Sequence, residues 1–212
     1  VVGCGGLGSA LLYALAGAGV GTLRFADGDV VGRTNLNRQF LHCEDDIGKN
    51  KAVSAYEKLA RFNPDIALEP RAEFFTQENA AALMKGCDMA ALAVDSLSAR
   101  LMLNRALVAA GVPFVDGGVD GFSGTVFSVT PGKTACLECL YGGVDATALP
   151  APTACAPVVT AVSAFEAQLV LLTLLGEPNP LSGRLLVFDG ARLKTDTLPI
   201  SRRAGCAVCG EA

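Results

Sequence analysis

This chain has little histidine, little charge and no uninterrupted apolar span, and each shortage narrows what it can do. His42 is the one histidine in 212 residues. It follows an arginine-bearing segment and has no second histidine to work beside, so no catalytic triad is read from it and packing is its expected role. Charge is sparse, with 17 Lys and Arg against 21 Asp and Glu and a net charge of −4 at pH 7. That balance argues against a nucleic-acid surface. The longest apolar stretch, residues 158–175, is broken by Thr160, Ser163, Glu166, Gln168 and Thr173. A central glutamate is costly in hydrocarbon, and Pro157 before the stretch with Gly176 after it mark the ends of a buried helix. The expectation is a core helix and no membrane partner. A charged leader with an apolar core is missing too, which points away from secretion. No internal repeat is visible.

Apolar residues are plentiful, at 51% of the chain, enough to fill one large domain or two small ones. Eight cysteines without a leader suggest a reducing compartment, read here as the cytoplasm, where CxxC pairs bind metal more often than they form disulfides. Two such pairs, Cys136–Cys139 and Cys206–Cys209, are the ligand set of a tetrahedral structural zinc site. The chain opens on Val1-Val2, with no initiator Met and only two residues ahead of a glycine-rich loop. A buried first strand needs roughly five residues, so the sequence reads as a piece of a longer chain.

That loop, Val2-Gly3-Cys4-Gly5-Gly6-Leu7-Gly8, has the strand–turn–helix form that presents backbone N–H groups to a nucleotide phosphate. Asp27, about twenty positions on, is placed to bond ribose hydroxyls, which NAD and ATP share. Next come Asp29, then Thr34-Asn35-Leu36-Asn37-Arg38-Gln39, then Gly48-Lys49-Asn50-Lys51. Amides and fixed cations beside a phosphate loop suit a reaction that releases pyrophosphate, because charge builds on the α, β and γ oxygens. Asp95 closes the apolar run 89–94, at the strand end where ligands bind in open parallel sheets. A lone carboxylate beside a triphosphate is a natural Mg²⁺ ligand. The blander reading makes these charges surface ion pairs and the glycines a tight turn.

Helix and strand patterns alternate through the first half, as in a parallel sheet with crossover helices. Helices are expected over 9–17, 49–62, 76–85 and from Ser96 to about Gly111, the last two capped by Thr76 and Ser96. Strands are expected at 22–26, 66–72, 89–94 and 112–116. After Gly117 the pattern changes. Residues 125–129 and 184–189 read as strands of a more antiparallel half, with the 157–175 helix between them and the CxxC pairs bracketing it. Residues 146–156, rich in Ala, Pro and Thr, read as an exposed loop. The expected fold is α/β: a doubly wound, mainly parallel, Rossmann-like sheet with an antiparallel C-terminal extension and a zinc knuckle.

Taken in order, Gly3-Cys4-Gly5-Gly6-Leu7-Gly8, Asp27-Gly28-Asp29, Asn35-Leu36-Asn37-Arg38-Gln39, Gly48-Lys49-Asn50-Lys51, Asp95, Cys136-Leu137-Glu138-Cys139 and Cys206-Ala207-Val208-Cys209 span essentially the whole chain. The set resembles the ThiF/MoeB/HesA branch of the ubiquitin-activating-like adenylyltransferases. The resemblance implies that ATP adenylates the C-terminal Gly-Gly carboxylate of a small ubiquitin-like sulfur-carrier protein, releasing pyrophosphate, and that the enzyme is a homodimer. It implies that Gly3, Gly5, Gly6 and Gly8 hold the phosphates and Asp27 the ribose. Asn35, Arg38 and Lys51 would clamp the triphosphate with Thr34 and Gln39 close by. Asp95, beside Ser96, would hold Mg²⁺, and the four knuckle cysteines would hold zinc. Residues 1–116 would then be the nucleotide-binding half and 117–212 the carrier- and zinc-binding half of one domain.

Two departures stand out. The family's arginine from a helix ahead of the first strand, which reaches the partner subunit's ATP, is not in this sequence, and that puts the activity of this stretch alone in question. Many members also carry a cysteine in the loop after the first CxxC, where Cys155 is the only thiol nearby and is out of clean register. Cys155 is a candidate acceptor of the activated carrier, as an acyl- or persulfide-linked intermediate; packing under the loop is the competing reading, and the register favours it. Cys4, Cys43 and Cys87 read as packing residues. Two rival functions are a zinc-containing NAD(P) oxidoreductase, against which Asn35, Arg38 and Lys51 argue, and a non-catalytic carrier-binding module of the same fold. The identity of the carrier and its pathway is not written in the residues.

Overall fold

A computed structural model describes residues 1–146, 148, 150 and 152–210. Thr147, Leu149 and Ala151, which belong to the loop expected at 146–156, lie outside the described residues, as do Glu211 and Ala212. The chain runs α1 (Gly6–Gly17), β1 (Thr22–Ala26), two short 3₁₀ turns (Arg33–Asn35 and Glu44–Asp46), α2 (Lys51–Phe62), β2 (Ala67–Arg71), α3 (Ala80–Met84), β3 (Ala90–Leu92) and α4 (Leu97–Ala110). It continues through β4 (Phe114–Asp120), β5 (Ser123–Val129), α5 (Leu137–Tyr141), α6 (Ala156–Leu174), β6 (Arg184–Asp189) and β7 (Lys194–Pro199).

The strand expected ahead of the glycine loop is reduced to Val2. That residue forms parallel bridges to Ala26 on one side and Leu92 on the other. It joins the parallel pair β1–β2 to β3, which pairs in parallel with β4. From β4 onward each pairing, β4–β5, β5–β6 and β6–β7, is antiparallel. The α/β fold is therefore a Rossmann-like sheet whose character changes at β4, as the sequence pattern expects.

Helix limits follow from local chemistry. Asn50 starts α2 by accepting the N–H groups of Ala52 and Val53. Ser96 starts α4 by accepting from Ala99, and Gly111 ends it in the left-handed conformation at φ +70°. The helix expected from Thr76 begins later, at Ala80. Thr76 and Asn79 instead exchange two hydrogen bonds in the turn before it.

By length and composition α6 could cross a membrane. Here it is a core helix, packed on α1, β4 and β5. Gly117 and Gly124 let it lie close, since a Cβ at either would come within 2.4 Å of Glu166 or Val162. The core has two parts. One gathers α1, α2 and α6 on one face of the sheet. The other gathers α4, α5 and the cysteine segments on the opposite face.

Candidate active site

Val2, β1 and β3 lie side by side and parallel, so the segments following them emerge at one end of the sheet. That end collects the glycine loop, Asp27 and Asp95. Gly3 and Gly8 serve the fold of the loop: a Cβ on Gly3, which sits at φ +99°, would lie 2.6 Å from the Ala93 carbonyl oxygen, and one on Gly8 would lie 2.0 Å from the Gly3 carbonyl oxygen. Gly5 and Gly6 are different. A Cβ at Gly5 would meet only Gln39, with Nε2 at 3.4 Å, and one at Gly6 would meet Val159 Cγ1 at 3.3 Å and the Arg38 stem at 3.6 Å. The open side of the loop is thus edged by Arg38 and Gln39. α1 starts there with Gly5 at its N-cap and no side-chain cap bond. Its first-turn N–H groups have no partner within the helix, and the positive end of its dipole faces the same way.

The surrounding residues are held by one another. Asp27 accepts from the Cys4 N–H at 2.7 Å and from the Asp29 N–H at 2.9 Å, which leaves lone pairs on both oxygens. Asn50 donates to the carbonyls of Asp27 and Asp29, at 2.9 and 3.1 Å. Lys51, buried at the start of α2, pairs with Asp29 Oδ2 at 3.0 Å. Its charge also reaches the Cys4 thiol and the His42 ring. Arg38 Nη1 donates to the Thr34 carbonyl at 3.3 Å and to Asn37 Oδ1 at 2.9 Å. Asn35 Oδ1 accepts from the Gly32 N–H at 3.0 Å. Gln39 is buried, and its Oε1 has no hydrogen-bond partner. Asp95 is exposed just past β3, with no ion-pair partner among the described residues, and Ser96 serves as the α4 cap.

The sequence reading understated two groups here. His42 is buried and bonded through Nε2 to the Cys4 carbonyl, which is more than packing. Deeper in, Arg100 donates to Asp116 Oδ2 and to the Val94 carbonyl, both at 3.1 Å, and Glu166 lies nearby with neither oxygen partnered. Burial pushes the Asp116 carboxyl up to about 6 against the pull of Arg100, and pushes Glu166 well above its ordinary value. Neither group stands in a recognisable motif; each is a single polar residue in an apolar run.

The thiols divide clearly. Cys4 is buried, and burial together with the Asp27 charge pushes its thiol up. Cys43 departs from the packing expectation: it is exposed, and its Sγ donates to Asp46 Oδ2 at 3.1 Å. Cys87 is half-buried against the Arg24 guanidinium. Cys155 is the N-cap of α6, half-buried against the core and one helical turn before Val159, which a Cβ on Gly6 would meet.

The four knuckle cysteines converge from α5 and the C-terminal segment. Their sulfurs all lie within 4.8 Å of one another, with Cys136–Cys206 at 3.7 Å and Cys139–Cys209 at 3.4 Å. A tetrahedron with about 2.3 Å per metal–sulfur bond has edges of about 3.8 Å, so donor set and spacing fit a Cys₄ ion. Burial pushes the Cys136 thiol up to about 12, whereas Cys206, despite its burial, is held at about 6 by the N–H groups of Cys209 and Val208. The Arg203 N–H points at Cys139 Sγ at 3.4 Å, and Asn104 Oδ1 accepts the Leu137 N–H at 3.0 Å.

Comparison with known proteins bears on the family and the fold. The model of the ThiF family matches residues 1–208. The SAMP-activating enzyme E1 of Haloferax volcanii is 36% identical over 218 aligned residues, covering 100% of this chain and 79% of that protein. The molybdopterin-synthase adenylyltransferase of Escherichia coli is 34% identical, covering 100% of this chain and 86% of that protein. Among solved structures, E. coli MccB with ATP superimposes with a TM-score of 0.87 at 26% identity, over 99% of this chain but only 64% of MccB. With a family match over nearly its whole length and relatives above 30% identity, the chain belongs to the ThiF family.

Proposed function

We propose that this chain activates the C-terminal Gly-Gly carboxylate of a small ubiquitin-like sulfur-carrier protein, using ATP and releasing pyrophosphate. The observation that carries the reading is the uncapped N-terminus of α1 at Gly5 and Gly6, open on one side and edged there by Arg38 and by Gln39, whose Oε1 is unpartnered. Relatives named as adenylyltransferases and as an activating E1 support it. The attacking nucleophile is the carrier's own carboxylate, so the protein's task is to position groups and stabilise charge.

In this reading Gly5, Gly6 and the first turn of α1 hold phosphate oxygens, while Gly3 and Gly8 keep the loop in shape. Asp27 accepts a ribose hydroxyl. Arg38 and Lys51 meet the charge that develops on the leaving pyrophosphate, Lys51 by leaving Asp29, and Thr34, Asn35 and Gln39 complete the polar wall. Asp95, free of ion pairs among the described residues, holds the Mg²⁺ that accompanies the nucleotide and offsets phosphate charge. Cys136, Cys139, Cys206 and Cys209 hold a structural zinc that closes the second half of the chain. Residues 1–116 handle the nucleotide, and 117–212 the carrier and the metal. Cys155 receives the activated acyl group: its thiolate attacks the acyl-adenylate carbonyl, a thioester forms and AMP leaves. Its place at the N-cap of α6, one helical turn before Val159 beside the glycine loop, supports this role.

Assembly and location follow the same reading. α1 carries no charged residue and α6 only the buried Glu166, so their outer surfaces, with Ala14, Thr160, Ala164 and Gln168 exposed, suit a homodimer contact. Eight cysteines free of disulfides suit the cytoplasm. The test is ATP–pyrophosphate exchange in the presence of candidate carriers, with the carrier weighed by mass spectrometry. An AMP-sized gain on a carrier ending in Gly-Gly supports the proposal, and absence of exchange with every such carrier overturns it.

A further inference from the structure

The Cys4 peptide groups in the middle of the glycine loop are held from two sides. The N–H is bonded to Asp27 at 2.7 Å, and the carbonyl accepts from His42 Nε2 at 2.9 Å. The Ser9 hydroxyl lies farther from the same carbonyl, at 3.4 Å. On its other side His42 Nδ1 faces Ser54 Oγ at 2.9 Å, and Lys58 Nζ donates to that same Oγ at 3.0 Å and to Asp46 Oδ2. An ammonium has only protons to give. Ser54 Oγ therefore accepts from Lys58 and turns its own hydrogen toward Nδ1. Nδ1 becomes the acceptor, and the ring proton sits on Nε2, opposite a carbonyl that can only accept. From Lys58 through Ser54 and His42 to Cys4, every link runs in one direction. Burial and the charges of Lys58 and Lys51 keep the ring neutral against the opposing pull of the Cys4 carbonyl and Asp46.

The Cys4 carbonyl and the Gly5 N–H belong to one planar trans unit, in which they point opposite ways. Anchoring the carbonyl inward on His42 therefore turns the Gly5 N–H outward, to the open side edged by Arg38 and Gln39. We propose that His42 is a positioning residue of the nucleotide site: it fixes the Cys4–Gly5 peptide so that the Gly5 N–H is presented to a nucleotide phosphate. The proposal rests on the adenylyltransferase reading and adds to it a role for the chain's one histidine. His42 acts through the loop, so its loss weakens nucleotide binding more than it slows turnover.

The single histidine makes the test clean, because ring-¹⁵N labelling reports on His42 alone. The expected spectrum at neutral pH is that of the neutral ring with hydrogen on Nε2. In calorimetric titration with Mg·ATP, His42→Leu should bind about tenfold more weakly than wild type, the size of one hydrogen bond to backbone. It should also raise the ATP KM more than it lowers kcat. His42→Gln, whose amide N–H₂ can reach the same carbonyl, should recover most of the affinity. A wild-type chain that does not bind Mg·ATP overturns the nucleotide reading itself. Wild-type binding with the hydrogen on Nδ1, or with a folded His42→Leu variant of equal affinity, overturns the role of His42 and leaves that reading standing. Should His42→Leu fail to fold, the ring spectrum and His42→Gln decide, and a folded His42→Gln that binds much more weakly than wild type counts against the proposal.

Discussion

Replacing Gly8 by Ala sets two effects against each other inside α1. Alanine is the better helix former, by about 1 kcal/mol. Its Cβ, however, would stand 2.0 Å from the Gly3 carbonyl oxygen and 2.8 Å from the Gly3 carbonyl carbon. Neither atom can swing away: both are backbone, in a residue at φ +99° whose own N–H is bonded to the Ala26 carbonyl at 2.9 Å. Relief requires the first turn of α1 to lift off the loop, at an overpacking cost of about 3 kcal/mol. The clash wins by about 2 kcal/mol, which in a chain of this size lowers Tm by about 4–8 °C. Gly5→Ala is the matched control. Its Cβ meets only Gln39, with Nε2 at 3.4 Å, and Gly5 lacks the positive φ of Gly3. The poorer N-cap should lower Tm by no more than about 3 °C. Its methyl group, though, occupies the side from which phosphate approaches, and Mg·ATP affinity should fall on the order of tenfold. Thermal melting and calorimetric titration of the two variants separate fold from binding. The reasoning fails if Gly8→Ala melts with wild type, or if Gly5→Ala binds nucleotide as wild type does.

Further expectations concern charge, metal and thiol. Asp95→Ala and Arg38→Ala should each reduce pyrophosphate exchange by about 10²-fold or more with an unchanged melting curve; full exchange in either variant would remove that residue from the site. Metal analysis of protein purified without chelator should find one zinc per chain, and chelation should lower Tm; a chain free of zinc refutes the knuckle assignment. Glu166 has its proton affinity raised by burial above the ordinary 4.5, so the folded state holds this proton more tightly than the unfolded state does. Its contribution to stability is full below about pH 4.5 and is lost as pH rises toward the folded value. Glu166→Gln should therefore lose less stability than wild type between pH 5 and pH 8 in urea denaturation, and equal losses would show Glu166 to be unperturbed. Cys155→Ala should keep pyrophosphate exchange and lose any thiol- and hydroxylamine-sensitive thioester with the carrier; an adduct that persists in the variant returns Cys155 to the core.

The elements most visible in the sequence are those whose signals are local. β1 at Thr22–Ala26 and β6 at Arg184–Asp189 fall where their apolar runs place them, and α4 starts and stops at Ser96 and Gly111 as its capping chemistry dictates. β7, Lys-Thr-Asp-Thr-Leu-Pro, gives no such signal because it is an edge strand exposed along its whole length, with no buried face to impose alternation. α5 is hidden because its single short turn starts inside the first CxxC segment, whose cysteines are placed for one another rather than for helical periodicity. At the site, spacing finds the loop, Arg38 and the four thiols. It misses what depends on long-range partners: the Lys51–Asp29 pair, the Arg100–Asp116–Glu166 group, and the line from Lys58 to Cys4, whose links join residues up to 38 positions apart. A side chain's type is local information; the group it meets across the fold is not.

α4 has one more consequence. Its first residue follows the Ser96 cap next to Asp95, and two turns later Asn104 grips the Leu137 N–H between the first pair of knuckle thiols. Eight residues of α-helix measure about 12 Å and hardly stretch. The carboxylate at the sheet end and the sulfur cluster are therefore the two ends of one stiff rod. A slackening of the thiol end would be passed along that rod to the seat of Asp95, since the helix between them is continuous.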